Sequence, residues 1–95
     1  MGARENKVET YLDDEVKKLD GITRKWVSPG RDGVPDRIVI LNGDIFFVEV
    51  KTTDGILSPM QKREQQKLRK AGAKVFTVYG EKGVNELLWT YRKCF

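Results

Sequence analysis

The chain has no histidine and a single cysteine, Cys94, among its 95 residues. No Ser-His or Cys-His catalytic pair can be assembled from such a chain, and no internal disulfide. A zinc site draws on several Cys or His ligands, which this composition does not supply. Any bound metal must therefore be held by oxygen, which points to magnesium, manganese or calcium. Long apolar runs are missing too: nothing approaches the ~20 residues of a membrane helix. The first residues, Met-Gly-Ala-Arg-Glu-Asn-Lys, lack the apolar core of a signal peptide. The expectation is an intracellular, cytoplasmic protein with no membrane partner. Internal repeats, low-complexity tracts and linkers are also lacking.

What is present suits one globular domain spanning residues 1–95, with 34% charged and 39% hydrophobic residues. A domain of this size buries roughly 60–70% of its unfolded surface, enough for one modest core. The net charge of +4 and the pI near 9.3 suit a polyanionic partner. A solvated surface that leans positive is the plainer reading of the same numbers.

Apolar spacing predicts the elements. Val8, Leu12, Val16 and Leu19 form one stripe of a helix over Glu5–Asp20, with Gly21 as its stop. Ile22–Val27 reads as a strand, and Ser28–Pro35, "SPGRDGVP", as a loop. Asp36–Leu41 and Asp44–Lys51 read as two strands joined at Asn42-Gly43, a strong hairpin signal because both residues accept positive φ. After a loop over Thr52–Leu57, Ser58 caps a second helix with Pro59 at its first position and Gly72 at its end. Lys74–Tyr79 is a further strand, and Val84, Leu87, Leu88 and Tyr91 place a short final helix. The order is αβββαβα, and its βαβ unit calls for parallel third and fourth strands. The hairpin strands are apolar on both faces, which predicts mid-sheet strands buried under helices on both sides.

Within that hairpin, counting outward from the turn sets Leu41 against Asp44, Ile40 against Ile45, Ile38 against Phe47 and Asp36 against Glu49. Directly opposed side chains have Cβ atoms about 4.5–5.5 Å apart, so two carboxylates placed this way repel. A divalent cation would offset that repulsion. Lys51 lies two residues beyond Glu49 and projects from the same face. Two acids and an ammonium suit phosphodiester hydrolysis, where a metal neutralises charge and acidifies water and a cation stabilises the strained phosphate. The carbonyl of Val50, between the two side chains, is one more hard oxygen donor. The plainer alternative is a hairpin with frayed ends, its acids in water and Lys51 in a salt bridge.

The residues "GVPDRIVI", "FFVEVKT" and "GILSPMQ" together resemble the VRR-NUC family, the virus-type replication-repair nucleases of the PD-(D/E)xK superfamily, and its short phage form most. The likeness spans roughly Glu9 to Tyr79, without a clear departure from the family pattern. It implies a restriction-endonuclease-like α/β core, αβββαβ(α), with a four-stranded mixed sheet flanked by helices. It also implies a Mg²⁺- or Mn²⁺-dependent endonuclease acting in a phage-infected or bacterial cell. Asp36, Glu49 and the Val50 carbonyl would bind the metal, and Lys51 would be the catalytic lysine. A glutamate on the first helix would reach the metal directly or through water. Glu9 fits, lying about 20° from Val16 on a helical wheel, and Glu5 is its rival one turn earlier. Gln61 aligns with a family glutamine on the second helix, where it would orient the water or Lys51. Ser58-Pro59-Met60-Gln61 is also a capping box, in which Gln61 serves the helix start instead.

For substrate, the superfamily includes Holliday-junction resolvases, so the resemblance implies a homodimer cutting branched DNA to leave 5′-phosphate and 3′-hydroxyl ends. Lys25, Arg31 and Arg37 near the acids, with Lys62 and Arg63 on the second helix, are candidate phosphate contacts. The helix run is equally readable as a solvated face. Trp26 and Trp89 are expected in the core, with base stacking the alternative. A non-catalytic nucleic-acid binder and an assembly subunit remain the competing readings.

Overall fold

A computed structural model describes residues 3–93, with side chains described from Asn6 to Arg92, so Cys94 and the side chain of Glu5 fall outside the described set. Helix α1 (Ala3–Lys18) carries the predicted stripe, and β1 (Ile22–Lys25) follows. Between them Asp20, not Gly21, adopts the positive φ of 62° that turns the chain. Gly21 is required by close approach instead: a Cβ there would stand 2.6 Å from Val16 Cγ1. Strands β2 (Arg37–Leu41) and β3 (Asp44–Lys51) form the hairpin, with Asn42 and Gly43 at φ 50° and 86° in the two positive-φ positions such a turn demands. Helix α2 (Pro59–Lys70), strand β4 (Val75–Tyr79) and helix α3 (Gly80–Lys93) complete the chain.

The sheet is four-stranded and mixed, in the order β1-β2-β3-β4, antiparallel until β3 meets β4 in parallel. The hairpin register is the one counted from the turn, with Leu41 opposite Asp44, Ile40 opposite Ile45 and Ile38 opposite Phe47. β1 ends two residues earlier than predicted, although Trp26 N–H still donates to the Asp36 carbonyl at 3.1 Å. The last helix is not short: it starts directly after β4 and spans 14 residues, because Val84 and Leu88 extend a buried stripe to Tyr91.

Helices α1 and α3 cover one face of the sheet. There Val8, Leu12 and Val16 meet Val39, Leu41, Phe46, Val48, Val50 and Val78, with Val84 and Leu88 behind. Phe46 is fully buried, edge-on to Phe76 and stacked on Tyr91, and its truncation to Ala would cost about 3–5 kcal/mol. The opposite face departs from expectation. Helix α2 crosses it only over the β3–β4 side, where Gln65 donates to Thr77 Oγ1 (3.0 Å) and Arg69 to the Val75 carbonyl (2.9 Å). Ile22, Ile40 and Ile45 pair side by side across β1, β2 and β3 on the uncovered half. They are 45%, 41% and 59% exposed, so the expected burial of the hairpin under helices on both sides is corrected: the second face is covered only toward the far end of β3, where Glu49 is 2% exposed, and is open near the turn.

Candidate active site

The site begins where the β2–β3 ladder stops. Phe47 N–H donates toward β4, to the Lys74 carbonyl (2.9 Å), so by strand alternation the Val50 N–H points toward β2. Continuing the register past the Arg37–Val48 pair brings Asp36 opposite Glu49 and Pro35 opposite Val50. Pro35 has no N–H to exchange and ends the pairing. Asp36 takes over: its Oδ2 accepts the Val50 N–H at 2.7 Å. The carboxylate is thus bound to the main chain of the residue that follows Glu49, and the Val50 carbonyl lies on the same strand edge as its N–H.

Glu49 alternates with Val48 and Val50 and so projects onto the α2 face, where it is buried to 2% exposure. A carboxylate so placed is costly unless paired and hydrogen-bonded. Its Oε2 accepts from Gln61 Nε2 at 3.0 Å and lies 3.8 Å from the Lys51 ammonium. Lys51 is itself mostly covered, its side chain 12% exposed. Gln61 closes the expected capping box and, with the same side chain, donates to Glu49, a partner the sequence reading did not name. Its Oε1 accepts the Ser58 N–H (2.9 Å), its own N–H donates to Ser58 Oγ (3.1 Å), and its amide NH₂ reaches Glu49.

Glu9 does turn inward, at 5% exposure, but it does so beneath the other face, from α1. Its Oε1 pairs with Arg37 Nη1 at 2.9 Å, and Arg37 also donates to both oxygens of Asp13 (3.0 and 3.2 Å). Burial pushes the Glu9 carboxyl above the usual carboxylate range, Arg37 opposes this, and the neighbouring charge of Asp36 adds to it. Arg37 is therefore engaged inside the protein, with a side chain 13% exposed, rather than facing solvent as a phosphate contact would. Among the described residues, no group of three or more acidic, cysteine or histidine side chains converges as a ligand set. The donors that register brings to this end of the hairpin, Asp36, Glu49 and the Val50 carbonyl, are all hard oxygens, and two carboxylates with a main-chain oxygen are of the type that suits a small divalent ion.

The remaining cations are distributed around this core. Arg31 and Arg63 share a groove with Met60, Glu64 and Lys67 between the 30–32 loop and α2, with Arg31 3.7 Å from Glu64. Lys25 and Lys62 are exposed. Trp26 is half-buried with its ring 4.9 Å from that of Phe47, on the face that carries Glu49, whereas Trp89 is 57% exposed and not a core residue. Two participants escaped the sequence reading. Asp13 stands four residues after Glu9, a spacing that puts both acids on one helix face and could have marked a shared cationic partner. Ser58 shows its capping signature plainly, but its link to Glu49 is purely tertiary.

Sheet order, flanking helices and the acids at the end of the hairpin define a restriction-endonuclease-like fold of the nuclease class. A solved structure described as "VRR_NUC domain" is 40% identical, covering 95% of this chain and 99% of its own, with a TM-score of 0.86. "Putative nuclease p44" of Acyrthosiphon pisum secondary endosymbiont phage 1 is 47% identical over 76 residues, 79% of this chain and 82% of that protein. The chain belongs to the VRR-NUC family, and its phage relative places it with the phage type. The fold alone is shared with Hjc, a Holliday junction resolvase of the archaeal hyperthermophile Archaeoglobus fulgidus, at 18% identity, TM-score 0.59 and coverage of 79% and 67%. No family model matches the chain. Among the described residues no helix is long and apolar enough to cross a membrane.

Proposed function

We propose that this protein is a metal-dependent endonuclease that hydrolyses DNA phosphodiester bonds, selects branched DNA and acts as a homodimer. The observation that carries the reading is the buried Glu49–Lys51 pair standing at the ladder end capped by Asp36. Asp36, Glu49 and the Val50 carbonyl would hold Mg²⁺ or Mn²⁺, which supplies Lewis acidity and a more acidic water when bound. Glu9 is a supporting acid, holding Arg37 next to Asp36. Lys51 places its ammonium beside the acids, where it stabilises negative charge developing on the phosphate. Gln61 keeps Glu49 oriented. Water adds to phosphorus as the bond to the 3′ oxygen breaks, leaving 5′-phosphate and 3′-hydroxyl ends. Lys25, Arg31, Lys62 and Arg63 supply phosphate contacts without base readout. The junction preference is supported by the fold shared with a named resolvase. The dimer is supported by the uncovered Ile22–Ile40–Ile45 row, apolar as homodimer cores are.

Incubating four-way junctions, flaps and linear duplex with Mg²⁺, Mn²⁺ or EDTA tests this directly. Metal-dependent cleavage of branched DNA is expected, lost in Asp36→Ala and Lys51→Ala while DNA binding persists. Binding without cleavage in any metal would replace the enzyme with a non-catalytic binder.

A further inference from the structure

Gln61 is a side-chain amide with each end assigned by a different part of the protein. Ser58 N–H is a donor, so the Gln61 atom it meets at 2.9 Å must be oxygen. The NH₂ group is then forced toward Glu49, which it meets at 3.0 Å. A flipped amide would set NH₂ against N–H at one end and oxygen against carboxylate at the other. The orientation of the donor to Glu49 is therefore decided by the N-terminal cap of α2. That cap depends on Ser58: extended at φ −70° and ψ 158°, it accepts the Gln61 N–H through Oγ at 3.1 Å. The same turn also abuts the loop that leads to Asp36. Gly33, at φ 88°, approaches so closely that a Cβ would lie 2.9 Å from the Met60 carbonyl. One turn of helix thus touches the chain on both sides of the site, near Asp36 through Gly33 and at Glu49 through Gln61.

We infer that Ser58 is a positioning residue. Its contacts are those of the helix cap, and it sets the direction of the Glu49 carboxylate by locking the Gln61 amide. The inference rests on the nuclease reading for its functional consequence only; the lock itself is a property of the folded chain. Hence the decisive readout is the Gln61 side-chain amide, followed by nitrogen-15 NMR and assigned by its loss in Gln61→Ala. In the wild type its protons should be shifted downfield by the charged acceptor and slow to exchange. Glu49→Gln should move the resonance. Ser58→Ala should speed its exchange about fivefold, the factor that corresponds to a lost N-cap, and Ser58→Thr should restore it. Should Ser58→Ala unfold, Ser58→Gly retains a good cap backbone without the hydroxyl and carries the same readout. On cleavage, Ser58→Ala should lower kcat at unchanged KM, with recovery in Ser58→Thr. An unchanged Gln61 amide in both Ser58 variants overturns the inference. A wild-type protein that cuts nothing, but whose amide responds as described, overturns the nuclease reading instead.

Discussion

Replacing Arg37 with methionine isolates the cost of the ion network under α1. The guanidinium is mostly covered and holds Glu9 at 2.9 Å and Asp13 at 3.0 and 3.2 Å. Methionine keeps much of the length and removes the charge, so Glu9, 5% exposed, is left buried without its cation. Removing one partner of a buried pair costs about 3–5 kcal/mol. Asp13, whose side chain is 33% exposed, recovers water on its open side and pulls the value to the lower end, about 3 kcal/mol. For a domain this small that corresponds to a fall in Tm of roughly 12–24 °C. The deficit has a pH signature. Burial already raises the Glu9 carboxyl above 4.5 in the folded state, and Arg37 opposes the rise. An acid with a raised folded pKa favours the native state while protonated, so its contribution to stability falls as pH climbs through the window above 4.5. Without Arg37 that window widens upward. Chemical denaturation of Arg37→Met and wild type should therefore show the larger gap at pH 7 and a smaller one near pH 4. A gap under about 1 kcal/mol at pH 7, or the same gap at both pH values, would refute the reasoning.

Two further outcomes follow from the geometry. Tyr91 donates to Asp44 Oδ2 at 2.6 Å, and burial first, then this bond, pushes its hydroxyl up to about 12. Ultraviolet titration should show a late ionisation that disappears in Tyr91→Phe, with wild-type stability falling as pH rises from about 10 to 12. Ile45→Arg, on the uncovered row, should alter folding stability by no more than about 0.5 kcal/mol yet convert the proposed dimer to monomer in sedimentation velocity; an unchanged dimer would place the interface elsewhere, and a monomeric wild type would overturn the proposed dimer.

The hairpin was legible because two local signals agreed. Asn42-Gly43 accepts positive φ, and the apolar alternation on each side fixes which residues share a face. From these the Asp36–Glu49 opposition follows by counting. Coverage of each face was not legible, since Ile40 and Val39 look equally core-like while only Val39 meets a helix. Alternation assigns residues to faces and is silent on what lies above them. Arg37 failed for a related reason. Beside a glycine-rich loop in a basic chain it reads as a surface cation, and only the docking of α1 brings Glu9 and Asp13 to it. The capping role of Gln61 is legible because Ser58 and Gln61 stand three residues apart, but its bond to Glu49 is not, because sequence cannot show that one amide has two ends serving two partners.

Asp36 and Arg37 are consecutive, and the pleat sends them to opposite destinations. Asp36 caps the ladder at the site, and Arg37 points to α1 with Val39. A slip of one residue in β2 would exchange them, as it exchanges every side chain on a strand. Asp36 would then face Glu9 and Asp13, an acid cluster beneath the sheet, and Arg37 would enter the site beside Lys51. Both outcomes set like charges together where screening is weak, at the same time as Val39 and Leu41 would leave the core. Register in this hairpin is therefore enforced by charge as well as by hydrophobic pattern, and the docking of α1 and the placement of Asp36 are one structural event. That coupling explains why an ion network on the far side of the sheet should matter to the geometry of a site it does not enter.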